Sequence, residues 1–136
     1  MDKVLRIGVI SCSVMAQSHM RAVVNKQNTE LVMVCDVDEA QMQKAVERFG
    51  VKKYSTDYRD VLADPDVDAV IIVTPDQTHR EITLAALEAG KHVLCEKPMC
   101  VTLEEAVDMC RAEKASGKLL SIGFQPRFDA QMILMK

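Results

Sequence analysis

The sequence predicts an α/β fold, a doubly wound and mostly parallel sheet in a single domain. Three observations carry this. Apolar, β-branched runs alternate with helix-period segments along almost all of the 136 residues. One run, residues 69–73 (AVIIV), is apolar without a break, as strands covered on both faces are. The links are short and carry helix start and stop signals, the arrangement that joins right-handed βαβ units.

Taken in order, residues 4–10 make the first strand and 15–25 the first helix. Residues 30–35 are rich in Val and form a second strand. Residues 39–49 carry helix formers, and Gly50 stands at the C-terminal cap. Lys53-Tyr54 is a weak, minor strand. Asp57 caps a short helix over 58–62, and Pro65 closes that region. After the strand at 69–73, Thr78 is read as the cap of a helix over 80–89 that Gly90 stops. Residues 92–95 are the next strand. Thr102-Leu103-Glu104-Glu105 is a capping box opening a helix to about Ser116. Gly117 ends it, and 119–122 form the last strand. From Arg127 the pattern is helical again.

Composition narrows the function. The formal charge is −3, from 17 basic and 20 acidic residues that are interspersed. No basic run occurs, and there are only three Phe and two Tyr, so a nucleic-acid partner is not expected. No apolar stretch approaches the roughly 18 residues that would cross a membrane. Met1-Asp2-Lys3-Val4 runs directly into a strand with no signal peptide, which points to the cytoplasm. The five cysteines include no C-x-x-C pair, so they read as reduced thiols, and no metal site is expected.

In a sheet of this kind ligands bind at the carboxyl ends of the strands, where strand order reverses. The first such end reads Ser11-Cys12-Ser13-Val14-Met15-Ala16. It stands where a Rossmann dinucleotide fold carries G-x-G-x-x-G/A. Ala16 meets the need for a small third residue. Ser11 and Ser13 add a Cβ and a hydroxyl where the pattern has none. A serine hydroxyl can donate to a phosphate. It can also push the phosphate outward, and a glycine-only backbone would strain it by about 1–3 kcal/mol. Ser11, Ser13, Val14 and Met15 are the cofactor-binding candidates of this turn. Asp36 ends the second strand, 20 residues after Ala16. An acidic side chain there accepts from the adenosine ribose and repels a 2′-phosphate. No Arg follows in Val37-Asp38-Glu39, so the cofactor expected is NAD, with NADP disfavoured. Asp38 reads as the cap of the next helix.

The segment VTPDQTHREITLAALEAGKHVLCEKPMCVTLEEA, residues 73–106, is the most specific stretch. Together with the opening strand–turn–helix and SIGFQPRFD, it resembles the N-terminal half of the Gfo/Idh/MocA oxidoreductases. Its sharpest motif is Glu96-Lys97-Pro98, preceded by Ala89-Gly90-Lys91-His92-Val93. Thr74-Pro75 followed by His79 is the second. The resemblance implies an NAD(P)-binding Rossmann domain followed by a substrate domain, with sugars, inositols and other polyols as substrates. It implies Lys97 beside the nicotinamide and the reacting hydroxyl, as the catalytic residue. Glu96 would bind cofactor or orient that loop, and Pro98 would rigidify it, often as a cis proline. Thr74, Pro75 and His79 would lie along the cofactor and Gln125 at its nicotinamide end. Residues 1–125 are then the dinucleotide-binding domain, and 126–136 the start of a C-terminal substrate domain that this chain lacks. Such a chain is not expected to turn over substrate alone. The rival reading is a degenerate, non-enzymatic Rossmann module with weak or no nucleotide binding. The uncovered surface near Phe124, Phe128, Met132, Ile133 and Met135 would favour a homo-oligomer.

Overall fold

The structure is a computed structural model that describes residues 3–125. Its strands are β1 (Leu5–Ile10), β2 (Thr29–Cys35), β3 (Lys53–Ser55), β4 (Ala69–Ile72), β5 (His92–Glu96) and β6 (Leu120–Gly123). Its helices are α1 (Val14–Val24), α2 (Glu39–Phe49), α3 (Tyr58–Ala63), α4 (His79–Glu88) and α5 (Leu103–Ser116). All six strands pair in parallel, in the order β3-β2-β1-β4-β5-β6. The weak strand at Lys53-Tyr54 is real and forms one edge of the sheet.

Side chains alternate across the sheet with the strand period of two. Val9, Val34 and Ile71 face one layer, where they meet Ala16, Met20 and Val23 of α1 and Met42 and Ala45 of α2. Ile10, Met33, Val70 and Ile72 face the other, against α3, α4 and Met109 of α5. Both faces are covered, which is why the strands read as continuous apolar runs. Order reverses at β1, whose neighbours are β2 and β4. The crevice therefore opens beyond Ile10.

The helix signals divide. Asp38 caps α2 by accepting from Ala40 and Gln41, Asp57 caps α3, and the Thr102–Glu105 capping box is complete. Thr78 is a correction. Its side chain does not cap α4. A 3₁₀ turn at Asp76–Thr78 precedes the helix, and the Thr78 hydroxyl is spent on Thr74 Oγ1 and the Pro75 carbonyl, each 2.7 Å away. Lys91 of the Ala-Gly-Lys-His-Val segment is structural. It is buried and donates to the carbonyls of Asp64 and Val67, tying down the α3–β4 link. Of the residues expected to drive self-association, Phe124 is described and half exposed; Phe128, Met132, Ile133 and Met135 lie outside the described residues.

Arg6 and Asp68 bolt β1 to the entry of β4 at the opposite end of the sheet. Arg6 Nε and Nη2 reach the two carboxylate oxygens at 3.0 Å each, and the Arg6 amide adds a third bond. The guanidinium hydrogen bonds hold the Asp68 carboxyl well below the usual carboxylate range. Because the folded value lies below the unfolded one, of about 3.9, this contribution is complete above that pH and fades as pH falls below it. Urea melts should show Asp68→Asn less stable than the parent at pH 6, with the gap narrowing between about pH 4 and pH 2. A gap that stays constant with pH would contradict this assignment.

Candidate functional site

The turn after β1 is built by its own hydrogen bonds. Ser11 N–H donates to Cys35 O at 2.8 Å, and Cys12 N–H to Asp36 Oδ2 at 2.6 Å. Ser13 N–H donates to Ser11 Oγ, and Ala16 N–H to Ser13 Oγ. The N–H groups left over are those of Val14 and Met15, in the exposed first turn of α1, which have no acceptor among the described residues. Two unpaired amides at a helix N-terminus are the chemistry of an anion site.

The two serines are not equivalent. Ser11 sits at φ 102°, where a side chain is strained and glycine is not. Ser13 has φ −58° and is the N-cap of α1, so the strain that a glycine-only backbone imposes on serine falls on Ser11 alone. Ser11→Gly is expected to raise stability by about 1 kcal/mol, strain relief exceeding the lost hydroxyl contact. Ser13→Gly should lower it by a few tenths, the usual cost of replacing a serine cap by glycine. Thermal melts of the two variants moving in the same direction would undo this distinction.

Asp36 closes the turn from the β2 side. Its Oδ2 takes Cys12 N–H and its Oδ1 takes Asp38 N–H at 2.9 Å. With Ser11, Thr74 and Pro75 it lines a cavity of about 670 Å³ beyond the carboxyl ends of β1, β2 and β4. Tyr58, Arg59 and Glu81 also line it. Tyr58 O–H donates to Glu81 Oε1 at 2.6 Å, and the Arg59 guanidinium stacks 4.8 Å over the Tyr58 ring. Burial, with the Glu81 hydrogen bond, pushes the Tyr58 phenol up. Burial also drives the thiols of Cys12 and Cys35 up to about 12. Among the described residues no three His, Cys, Asp or Glu side chains gather to hold a metal.

Glu96, Lys97, His79 and Gln125 do not line that cavity. Glu96 and Lys97 head a second group, to which His79 is joined through the Pro98 carbonyl. Glu96 is buried at the end of β5, with Oε1 at 2.7 Å from His19 Nε2 and Oε2 accepting the Lys97 amide at 3.1 Å. Gly123 makes room for this pair: a Cβ there would sit 3.0 Å from the Glu96 carboxyl. Lys97 is exposed, its ammonium has no ion partner among the described residues, and the Lys97–Pro98 peptide is cis. Gln125 Nε2 lies 3.9 Å from Met15 Sδ, which brings the last described residue to the turn after β1. His79 starts α4, with Nε2 2.8 Å from Thr74 O and Nδ1 2.8 Å from Pro98 O.

The structure thus adds His19, Tyr58, Arg59 and Glu81 to the site. His19 carried a faint signal: it falls three residues after Ala16, on the flank of the buried face of α1. The other three carried none, since α3 and α4 meet only in the fold.

Known proteins share this fold. The Gfo/Idh/MocA oxidoreductase family, with its NAD-binding Rossmann fold, matches residues 5–124. An inositol 2-dehydrogenase of Salmonella typhimurium is 33% identical over 135 residues, 97% of this chain and 40% of that enzyme. The WlbA dehydrogenase of Chromobacterium violaceum, solved with NADH and UDP-GlcNAcA, superposes with a TM-score of 0.94 at 34% identity, over 100% of this chain and 39% of that one. The scyllo-inositol dehydrogenase of Lactobacillus casei, solved with NAD(H) and scyllo-inositol, does so at 0.89 and 28% identity, over 98% of this chain and 42% of that one. The chain therefore spans about 40% of the length of such relatives. With its parallel sheet in this strand order and the family match over residues 5–124, the chain belongs to the Gfo/Idh/MocA oxidoreductase family, as an NAD-binding Rossmann domain.

Proposed function

We propose that this chain binds NAD in the crevice beyond β1 and is the cofactor domain of a dehydrogenase acting on a CH–OH group of a sugar or polyol. One observation carries the reading. Asp36 lines the cavity while spending its carboxylate on only two amides, those of Cys12 and Asp38. Of its roughly four acceptor positions about two remain, enough for the two ribose hydroxyls. Its charge opposes a 2′-phosphate. Arg59 is the nearest cation on the cavity wall, and it is already engaged by Asp57 and Glu81. Val14 and Met15 offer their free amides to the pyrophosphate. Ser11 and Ser13 accept within the turn, so each hydroxyl hydrogen is left to donate.

Bound NAD supplies a hydride acceptor, or as NADH a donor, at the nicotinamide C4. Lys97 presents an unpaired ammonium that stabilises negative charge developing on the substrate oxygen. Glu96 fixes the Lys97 amide and is itself fixed by His19. Thr74 and Pro75 form the wall between the two groups, and Gln125 closes the nicotinamide end against Met15. Residues 1–125 are the dinucleotide-binding unit and 126–136 lead into a substrate domain of a longer cytoplasmic, self-associating protein. The inositol dehydrogenases, and the WlbA dehydrogenase solved with UDP-GlcNAcA, support this substrate class. The fold shows no helix long and apolar enough to cross a membrane among the described residues.

Calorimetry of the chain with NAD and NADP tests this. Micromolar to low-millimolar affinity for NAD, with NADP weaker, is the expected result. At about a hundred times its dissociation constant NAD then adds about 2.7 kcal/mol of stability. No heat and no thermal shift at several millimolar NAD would replace this reading with a non-enzymatic module.

A further inference from the structure

The Glu96 carboxyl group is buried where β5, β6 and α1 meet. Its Oε1 lies 2.7 Å from Nε2 of His19 on α1, and its Oε2 accepts the Lys97 amide at 3.1 Å. Gly123 of β6 stands beside Glu96 in the sheet register. A Cβ on Gly123 would lie 3.0 Å from the Glu96 carboxyl carbon and 3.0 Å from Oε1. Contacts that short force the carboxyl group to move. Gly123 does not have a left-handed backbone, so no turn calls for glycine there. The space for Glu96 explains it. We propose that His19 is a positioning residue: through the Glu96 carboxyl group it ties the Lys97 turn to α1, so that an anion seated on α1 steadies Lys97.

The tie begins one helical turn from the anion seat. The amides without an acceptor are those of Val14 and Met15, and His19 follows Met15 by one turn of the same helix. An anion on those amides restrains the first turn of α1. The helix passes the restraint to His19, and the short contact passes it to Glu96. Little of that contact faces solvent, with 16% of the His19 side chain and 7% of the Glu96 side chain exposed. Among the described residues the Glu96 carboxyl group has no further hydrogen-bond partner, so fixing Oε1 orients Oε2 and with it the Lys97 amide. Freedom already lost when the first ligand binds is not lost again at the second. Lys97 then meets the substrate oxygen from a steadier turn. That consequence rests on the cofactor reading above; the tie rests on the contacts of Glu96 alone.

Hydrogen exchange at the Lys97 amide, followed by NMR of the ¹⁵N-labelled chain, tests this. ADP is the probe: it carries the ribose and two phosphates but has no nicotinamide to touch Lys97. Saturating ADP should slow Lys97 exchange about fivefold in the parent, at the low end of such couplings. In His19→Leu, at ADP concentrations that calorimetry shows to saturate it, Lys97 exchange should not respond. His19→Gln places an amide nitrogen where Nε2 stands and should recover the response, which a merely space-filling histidine would not require. Slowing that persists in His19→Leu overturns the coupling, as does ADP that binds the parent without slowing Lys97. Either result leaves the cofactor reading intact. A parent that binds no ADP removes the anion seat and the coupling, while calorimetry with NAD decides the cofactor reading separately. The tie is also read without ligand: Lys97 exchange should be about fivefold faster in His19→Leu than in the parent, with amides of β2 unchanged, and equal rates refute it. Should His19→Leu not fold, Gly123→Ala displaces the same carboxyl group. It should speed Lys97 exchange and lose the ADP response, and exchange like that of the parent would overturn the proposal.

Discussion

Asp36→Ala is expected to weaken NAD binding by about 30-fold, roughly 2 kcal/mol, and to abolish the preference over NADP. The size follows from what the carboxylate does. Its hydrogen bonds to ribose hydroxyls are charge-assisted and sit at the mouth of a cavity, where such bonds exceed neutral ones. The loss of preference follows from charge: of the carboxylates on this wall Asp36 stands at the end of β2, where the ribose is expected, whereas Glu81 is engaged by Tyr58 and Asp57 by Arg59. Asp36 also anchors the amides of Cys12 and Asp38, so the variant should lose about 1–2 kcal/mol of stability as well. Asp36→Asn separates the two effects. It keeps an acceptor for the turn while removing the charge, so it should hold stability better than alanine yet still lose discrimination. Calorimetric titration with both nucleotides reads this directly. Equal affinity of the parent for NAD and NADP would show that Asp36 is a turn anchor only.

Gly8→Ala should destabilise the fold by about 2–3 kcal/mol, although alanine is otherwise favoured over glycine within a strand. Gly8 lies on β1 between Met33 of β2 and Val70 of β4, directly after a break in register. A Cβ there would come within 2.5 Å of Val61 Cγ1 on α3. Val61 is fully buried and stiff at χ1, so it has no rotamer into which to retreat. The contact is the point where α3 rests on the centre of the sheet. Val61→Ala should therefore recover part of the loss in the double variant, with a coupling above about 1 kcal/mol in urea melts. Strict additivity, or a Gly8→Ala variant with an unchanged midpoint, would show that β1 and α3 are not packed as described.

The elements were legible because each is written locally. Unbroken apolar runs, Asp38 and Asp57 at helix starts, the Thr102–Glu105 box and Gly50 at a left-handed C-cap act over a few residues. Thr78 misled because threonine caps and tight turns use the same hydroxyl chemistry, and here the turn took it. Asp36 was legible because the distance from Ala16 reflects one βαβ repeat. The roles of the two serines were not. A backbone angle of 102° at Ser11 and an ordinary one at Ser13 depend on how β1 meets α1, and both positions look alike as letters.

By itself, then, the sequence determined the parallel α/β fold, its strand sequence and the carboxyl-end segments that carry the site. These follow from periodicity and capping, which are short-range. The tertiary structure alone decided that His19 holds Glu96, that Tyr58, Arg59 and Glu81 wall the cavity, and that His79 lies between the Thr74 and Pro98 carbonyls. Those contacts join side chains from different βα units, and their distances are set by how helices settle on a twisted sheet, which no local pattern records.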